Sequence, residues 1–363
     1  MSTKIEKLTT VLAKTLFQND KQKAALIHAG QNRRYFTGFP SSEGALFVTA
    51  DEAFLLMDFR YAEAASKQAK NCKVIEIISF AQTIELLVKE TGVKQVYLEE
   101  ETLTLGYARR FEEAVKKGGG EVVKSGELDK AIGKLRMIKT PEEVKKIEAA
   151  QAITDAAFSH ILPYIKEGVT EKEIAFEIEF FMKKQGADGS AFEPIIAAGA
   201  NGSMCHAVPS DYKIKKGDLI TMDTGALLDG YNSDMTRTVA LGSVSEKQKI
   251  VYNKVLEAHM AVIDGVKPGM PCCDADKIAR DIIEADYAGR FGHGLGHGVG
   301  LEIHEEPRFS RLDNTPCEAG MVVTNEPGIY LPDEFGVRIE DMLLITEDGC
   351  RTLTKSPKEL IIL

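Results

Sequence analysis

The sequence predicts a two-domain protein, with an α/β domain first and an α+β domain second. The prediction rests on a length of 363 residues, an early alternation of short apolar runs with helical patterns, and later strand-like runs joined by a tight turn. A chain of this length can form two domains. Alternating strands and helices are typical of α/β layers.

The N-terminal domain is predicted to span residues 1–132. Its strands are expected where short apolar runs are bounded by turn residues, at 24–28, 45–49, 53–57, 74–78 and 96–99. Helical spacing predicts helices at 84–91 and 108–117. The polar segments 32–35 and 58–61 follow two of the strands, and we expect their charges to be solvated surface.

The second domain is predicted to span residues 133–363 and to open with a long helix. Thr140 can cap this helix, Pro141 suits its first position and Glu143 completes a capping box. Segments 165–184 and 266–285 are weakly similar, since each is a turn leading into a helix and each follows another long helix. This repeat predicts an α+β domain of two similar halves in a pseudo-twofold arrangement, with a site between them.

Composition limits the classes of partner. The net charge is −10 and no basic run occurs, which argues against a nucleic-acid partner. The sequence contains no run of about 18 apolar residues, so it predicts no membrane helix. The N-terminus lacks the apolar core of a signal peptide. The six cysteines show no CxxC spacing and are expected to be reduced thiols. We therefore expect a cytoplasmic protein without a membrane partner.

Residues 292–304 form a glycine-rich stretch that contains three of the seven histidines, His293, His297 and His304. Glycine has no side chain, so the backbone of such a stretch can approach a ligand closely. Glycine also weakens helices and strands, which favours a loop. A metal-binding loop is one interpretation, and a glycine-rich turn that happens to hold histidines is the other.

Two aspartates are predicted to share one face of a hairpin. The dipeptide Asp229-Gly230 is a two-residue turn signal between strand-like runs at 219–226 and 231–239. With that turn, Asp223 pairs with Thr236, and Asp234 lies on the same face. Two carboxylates so close would repel each other unless a cation lies between them.

Two glutamates extend this set. Glu326 is expected at the end of a strand over 321–328, and Glu340 inside a strand over 336–345. Carboxylates in apolar strands are costly unless paired or bound to metal. Carboxylate-rich sites with one imidazole suit Mn²⁺, Co²⁺ or Fe²⁺ better than structural zinc. Two ions about 3.5–4 Å apart would form a hydrolytic arrangement.

Five segments carry these residues, at 222–226, 233–238, 296–304, 325–330 and 337–341. Together they resemble the pita-bread metallopeptidases, which include aminopeptidase P, prolidase, methionine aminopeptidase and the metal-free creatinase. The resemblance covers essentially the whole chain. It implies a creatinase/prolidase-like N-terminal domain, a pita-bread catalytic domain and a homodimer.

By position, the resemblance implies two divalent metal ions, Mn²⁺ first and Co²⁺, Fe²⁺ or Zn²⁺ as alternatives. The implied metal ligands are Asp223, Asp234, His297, Glu326 and Glu340. Glu326 would also move a proton. The resemblance further implies that His206 contacts substrate and that His293 and His304 line the site. His206 or His304 would stabilise the oxyanion. Arg338 would hydrogen-bond to a metal-ligand carboxylate and orient it.

The N-terminal domain separates this chain from a minimal methionine aminopeptidase and favours hydrolysis of an Xaa-Pro bond. Arg308 matches an arginine with which similar prolidases bind the C-terminal carboxylate of a dipeptide. This slightly favours an Xaa-Pro dipeptidase. The alternative is an aminopeptidase P acting on longer peptides, and a more distant one is a non-catalytic peptide-binding module on the same fold.

Overall fold

The computed structural model describes residues 4–18 and 20–363. The chain divides into two compact units, Met1–Leu135 and Arg136–Leu363. The first unit holds a six-stranded mixed sheet in the order β4-β3-β2-β1-β5-β6. Its strands are β1 (Lys23–Ile27), β2 (Ala45–Thr49), β3 (Ala53–Met57), β4 (Lys73–Glu76), β5 (Gln95–Leu98) and β6 (Glu121–Val123).

Helices precede, connect or follow these strands, as the α/β prediction requires, except that a short turn joins β2 to β3. They are α1 (Lys4–Leu12) with a π-helical turn Ala13–Phe17, α2 (Gly30–Thr37), α3 (Phe59–Gln68), α4 (Phe80–Thr91), α5 (Leu105–Lys117) and α6 (Glu127–Met137). Helices α4 and α5 begin earlier than predicted because Ser79 and Thr104 cap them. The spacing of apolar residues does not reveal a helix start that is set by a polar cap.

The expectation of solvated charge at residues 32–35 was wrong for Asn32 and Arg33. Both lie in α2 and are buried, with only 1% of Arg33 exposed. The Arg33 guanidinium donates to the carbonyl oxygens of His28 and Ser41. These acceptors are what allow a buried cation at this place.

The second unit opens with α7 (Pro141–Ile161), followed by α8 (Glu171–Lys184), α9 (Glu246–Gly265) and α10 (Cys272–Tyr287). The capping box at Thr140 and Glu143 is confirmed, because each side chain bonds the other residue's backbone amide. Of the described helices, none has the length and apolar character that crossing a membrane requires.

The strands of the second unit form several antiparallel sheets. They are β7 (Gly189–Ser190), β8 (Ile195–Ala198), β9 (Leu219–Thr224), β10 (Ala226–Leu228), β11 (Tyr231–Asn232), β12 (Met235–Ala240), β13 (Gly296–Gly298), β14 (Glu305–Phe309), β15 (Val322–Asn325), β16 (Gly328–Leu331), β17 (Phe335–Arg338), β18 (Asp341–Ile345) and β19 (Cys350–Thr352). Sheet β12-β9-β8 shares an apolar core with α7 and α8. Sheet β14-β13-β15-β18-β19 shares another with α9 and α10. The predicted two halves are therefore present.

Candidate metal centre

The first pair of carboxylates lies on the predicted hairpin. Thr236 of β12 is opposite Asp223 of β9, which confirms the predicted register. Asp229 and Gly230 have φ values of 48° and 75°, as a tight hairpin turn requires. Asp234 lies just before β12 and is 4% exposed. The turn therefore fixes the position of both aspartates.

The second pair lies where strands end. Glu326 directly follows β15, and Glu340 is the second of two residues that separate β17 from β18. The prediction of one continuous strand through Glu340 was wrong, because β17 pairs with β16 while β18 belongs to the β15 sheet. Only Asp223 of the four carboxylates is inside a strand, since the chain changes sheet at the others.

The glycine-rich stretch contributes a buried strand, β13, where a loop was expected. Its glycines are required by crowding between neighbouring strands. A Cβ atom on Gly296 would lie 2.1 Å from the Thr324 carbonyl oxygen, and one on Gly298 would lie 2.3 Å from the Glu306 carbonyl oxygen. Between them, His297 is 7% exposed and points its ring at the carboxylates. The sequence argument from strand propensity was therefore overridden by tertiary packing.

The His297 ring has the orientation of a metal ligand. Its Nδ1 is 3.1 Å from the Gly298 carbonyl oxygen, which can only accept, so Nδ1 carries the proton. Its Nε2 lies 3.6 Å from Asp234 and 3.5 Å from Glu326. Burial and the nearby His304 lower the pKa of His297 to about 3. The neutral ring therefore presents a lone pair to two carboxylates.

Three of the five predicted ligands form a compact group. One ligand atom each from Asp234, His297 and Glu340 lies within 4.8 Å of the others. Burial, and then the neighbouring carboxylates, raise the pKa values of Asp234 and Glu340 well above their usual range. Burial also raises the pKa of Glu326, to about 8. Acceptors so concentrated are stabilised by a cation.

The residues present fit divalent ions. Asp223 Oδ1 is buried and has no hydrogen-bond partner among the described residues. A buried oxygen of this kind is rare without an ion or water. Four carboxylates and one imidazole form a donor set suited to hard or borderline divalent ions.

Arg338 is the cation that holds the other oxygen of Asp223. Its Nη2 donates to Asp223 Oδ2 at 2.6 Å, and its Nε donates to Thr236 Oγ1 at 3.0 Å. Its Nη1 donates to the Cys205 carbonyl at 3.3 Å. Arg338 thus connects a candidate ligand to the loop that carries His206.

The five candidate ligands open onto a cavity of about 520 Å³. Apolar side chains, among them Phe192, Ile195 and Ile303, form part of its wall. The remaining predicted site residues also line it, namely His206, His293, His304, Arg308 and Arg338. The structure therefore brings every predicted site residue to one cavity.

His293 is held by the protein through both ring nitrogens. Nδ1 donates to the Gly294 carbonyl at 2.8 Å, and Nε2 accepts from the Tyr330 hydroxyl at 2.9 Å. Tyr330 in turn accepts from Arg338 at 2.9 Å. Burial lowers the pKa of His293 to about 4. A substrate can hydrogen-bond to this ring only by replacing one of these partners.

His206 and His304 are more exposed and face the cavity from two loops. The ring of His304 meets that of His297 edge-on at 4.3 Å between centroids. Burial and Arg308 lower the pKa of His304. Arg308 is 42% exposed, and its nearest ionic contact, Glu306, is 3.8 Å away.

A buried ionic cluster supports the loop after β13. The Glu305 carboxylate bonds Arg136 and lies 3.3 Å from Lys139 Nζ. It also accepts from the Glu302 amide at 3.1 Å, which closes the loop between β13 and β14. Burial alone would raise the pKa of Glu305, but the two cations outweigh it and hold that pKa below its usual range.

Comparison with known proteins identifies the family of this site. The Creatinase/Prolidase N-terminal domain model matches residues 12–138, and the Metallopeptidase family M24 model matches residues 145–347. The chain belongs to metallopeptidase family M24. The predicted fold class, a creatinase/prolidase-like domain followed by a pita-bread domain, is thereby confirmed.

Relatives of this M24 member match along its length. An uncharacterized peptidase of Bacillus subtilis, YqhT, is 44% identical over 99% of this chain and 100% of its own. An Xaa-Pro dipeptidase of Pyrococcus furiosus is 43% identical over 91% of this chain and 92% of its own. The structure of an Xaa-Pro dipeptidase from Bacillus anthracis has a TM-score of 0.94 at 41% identity, covering 99% and 100% of the two chains. The chain is thus a metallopeptidase, as predicted.

The M24 site also uses residues for which no role was predicted from sequence. Thr236 Oγ1 donates to Glu340 at 2.6 Å, and Thr324 Oγ1 donates to Glu326 at 3.2 Å. Tyr330 lies with Glu326 in segment 325–330, yet its hydrogen bond to His293 depends on tertiary structure. A threonine two residues from a candidate carboxylate in the same strand-like run is the only signal that could have pointed to the first two.

Proposed function

We propose that this chain hydrolyses the peptide bond between an N-terminal residue and proline, with Xaa-Pro dipeptides favoured over longer peptides. The observation that carries the proposal is the convergence of four carboxylates and His297 on one cavity that Arg308 also lines. The Xaa-Pro dipeptidases among its relatives support the choice of substrate.

We propose that two divalent metal ions are held by Asp223, Asp234, His297, Glu326 and Glu340, with Mn²⁺ favoured over Co²⁺, Fe²⁺ and Zn²⁺ for a carboxylate-rich set. Bound ions of this kind lower the pKa of a water molecule, so that hydroxide is available near neutral pH. Arg338 would fix the orientation of Asp223 through their 2.6 Å contact.

Protein side chains would handle the proton and the developing charge. Glu326 borders the cavity beside the other candidate ligands, where its carboxylate would accept a proton and pass it to the leaving proline nitrogen. His206 and His304 face the same cavity and would donate hydrogen bonds to the oxyanion that forms from the substrate carbonyl. We also assign His293 to the wall that receives substrate.

Arg308 would select short substrates. Its guanidinium lines the cavity, and no closer ionic contact than Glu306 at 3.8 Å occupies it among the described residues. A dipeptide presents its C-terminal carboxylate one residue after the scissile bond, where a charge-assisted pair with Arg308 can form. An aminopeptidase P activity is the alternative, and it would make little use of this pair.

We propose a homodimer in the cytoplasm with domain boundaries at 1–132 and 133–363. All six cysteines are free thiols in the structure, which supports a reducing compartment. The net charge of −10 supports a role without nucleic acid.

The test begins with protein stripped of metal by chelator and reloaded with Mn²⁺. We expect hydrolysis of Gly-Pro and Leu-Pro only after reloading, and slower hydrolysis of Xaa-Pro-Yaa tripeptides. Asp234→Ala should abolish metal binding and activity while leaving the fold intact. If the metal-loaded protein hydrolyses no Xaa-Pro peptide, the proposal is refuted. Peptide binding without turnover would then favour the binding-module alternative.

The dipeptide preference has its own test. Arg308→Ala should raise KM for Leu-Pro while KM for a tripeptide changes little. Arg311→Ala is the matched control, because Arg311 is an exposed arginine that contacts Glu284 and does not line the cavity. An unchanged KM for the dipeptide would favour the aminopeptidase alternative.

A further inference from the structure

The loop that carries His206 is tied at both ends to a single buried carboxylate. Glu171 is the first residue of α8 and is 0% exposed. Its Oε1 accepts hydrogen bonds from the Ala198 amide at 2.7 Å and from Asn201 Nδ2 at 3.0 Å, where the loop begins. Its Oε2 accepts from the amide and the hydroxyl of Ser210, at 2.9 and 2.7 Å, where the loop ends.

Helix α8 does not need this carboxylate as a cap. The Thr170 side chain accepts from the Glu173 amide, and the Glu173 carboxylate accepts from the Thr170 amide, which completes a capping box. The four side-chain hydrogen bonds of Glu171 instead all go to the loop. The negative charge is also favoured at the first turn of a helix.

The loop itself has little other structure. It consists of a 3₁₀ turn at Gly199–Ser203 followed by irregular chain that includes His206. Residues 205–209 line the cavity, whereas Glu171 does not. The Arg338 contact with the Cys205 carbonyl holds the loop from the metal side. The place of the exposed His206 ring therefore depends on how the loop ends are held.

We propose that Glu171 is a positioning residue for His206. By binding both loop ends, its carboxylate keeps the imidazole over the cavity, where it meets the substrate carbonyl. The proposal rests on the proposed peptidase function and extends it to a residue outside the cavity.

The first test is Glu171→Gln. The partners of Glu171 are N–H and O–H donors, and glutamine offers one acceptor oxygen where glutamate offers two. One loop end therefore faces an amide N–H₂ group and loses its side-chain acceptor, which weakens its attachment to α8 to the backbone contact between the Lys172 amide and the Ser210 carbonyl at 3.2 Å. We expect kcat/KM for Leu-Pro to fall roughly 10- to 100-fold, as for a misplaced contact group. Glu173→Gln, the same substitution two residues along the same helix, should leave kcat/KM unchanged.

Two further measurements separate positioning from general damage. Mn²⁺ binding measured by calorimetry should keep its affinity in Glu171→Gln, because no candidate ligand lies on this loop. In a His206→Ala background, Glu171→Gln should cause no additional loss of kcat/KM. Loss of Mn²⁺ affinity, or a full additional loss in the double variant, would overturn the proposal.

Ser210→Ala guards against a misfolded Glu171 variant, because it leaves the Glu171 carboxylate in place and removes only a hydroxyl, which donates to Glu171 and accepts from the Tyr212 amide at 3.1 Å. It should give a smaller fall in kcat/KM that also disappears in the His206→Ala background. If Ser210→Ala keeps full activity while Glu171→Gln does not fold, the positioning role is refuted.

Amide hydrogen exchange gives a result that does not depend on activity. Exchange across residues 198–210 should accelerate in Glu171→Gln and stay at the wild-type rate in Glu173→Gln. Unchanged exchange in Glu171→Gln refutes the positioning role even if activity falls. Failure of the wild-type protein to cleave any Xaa-Pro peptide would refute the proposed function instead, and would leave the exchange result standing.

Discussion

Replacing Gly296 with alanine should damage the metal centre through a backbone contact. The new Cβ would lie 2.1 Å from the Thr324 carbonyl oxygen, whereas real contacts of this kind are not shorter than 3.0 Å, so the strands must separate by 0.9 Å. Thr324 Oγ1 accepts from the His297 amide at 3.0 Å and donates to Glu326 at 3.2 Å. The separation therefore moves two candidate ligands apart.

The expected losses of stability and of metal affinity follow from the overpacking and from the displacement of the ligands. Overpacking of this kind costs roughly 1–3 kcal/mol of unfolding free energy, at roughly 2–4 °C of melting temperature per kcal/mol. Disturbing groups that orient ligands lowers metal affinity roughly 10- to 100-fold. The assays are thermal unfolding of the metal-free protein and calorimetric titration with Mn²⁺.

Gly292→Ala is the matched control for this variant. No heavy atom of the described residues lies within 4 Å of the position that its Cβ would take, so both measurements should match the wild type. The close-approach argument would be refuted by a Gly296→Ala protein that binds Mn²⁺ with wild-type affinity and unfolds at the wild-type temperature.

Two further predictions concern buried charges. Arg237→Met should lower the free energy of unfolding by roughly 3–5 kcal/mol. It removes the closest cation of the buried Asp341 carboxylate, which keeps Lys358 at 2.9 Å, and it also leaves the buried Glu340 and Ser356 carbonyls without their donor. In denaturant titrations Arg351→Met, at an exposed pair, should change little, and equal losses in the two variants would contradict the argument. Glu305 has a lowered pKa in the folded state, so its contribution is present above the unfolded carboxyl pKa of about 4.3 and is lost as pH falls through the folded pKa. The stability deficit of Glu305→Gln should therefore be largest near pH 7 and narrow in acid, and a deficit that is constant with pH would contradict this.

Local signals made the hairpin and the helix starts predictable. The Asp229-Gly230 turn fixes which residues pair, so the register that brings Asp223 opposite Thr236 follows from nearby sequence. The capping box at Thr140 is equally local. In both cases the interaction that decides the structure spans only a few residues.

The features that escaped prediction depend on distant parts of the chain. Residues on both sides of Glu340 form one apolar run, and only the partner strands reveal that it crosses from one sheet to another. Gly296 suggested a loop, because the neighbouring strand that excludes a side chain is 28 residues away in sequence. Glu171 has the appearance of an ordinary exposed acid in the first turn of a helix. Its partners lie 27 to 39 residues further along.

The cations that neutralise Glu305 set a limit on how short an active fragment of this enzyme can be. The match to family M24 begins at residue 145, yet Arg136 and Lys139 supply the charges around that carboxylate. The Lys139 amide also donates to the Gly320 carbonyl at 2.9 Å. A fragment cut at the family boundary would leave a buried carboxylate unpaired, at a cost of roughly 3–5 kcal/mol. The last turn of α6 must therefore accompany the catalytic half in any truncation or domain exchange.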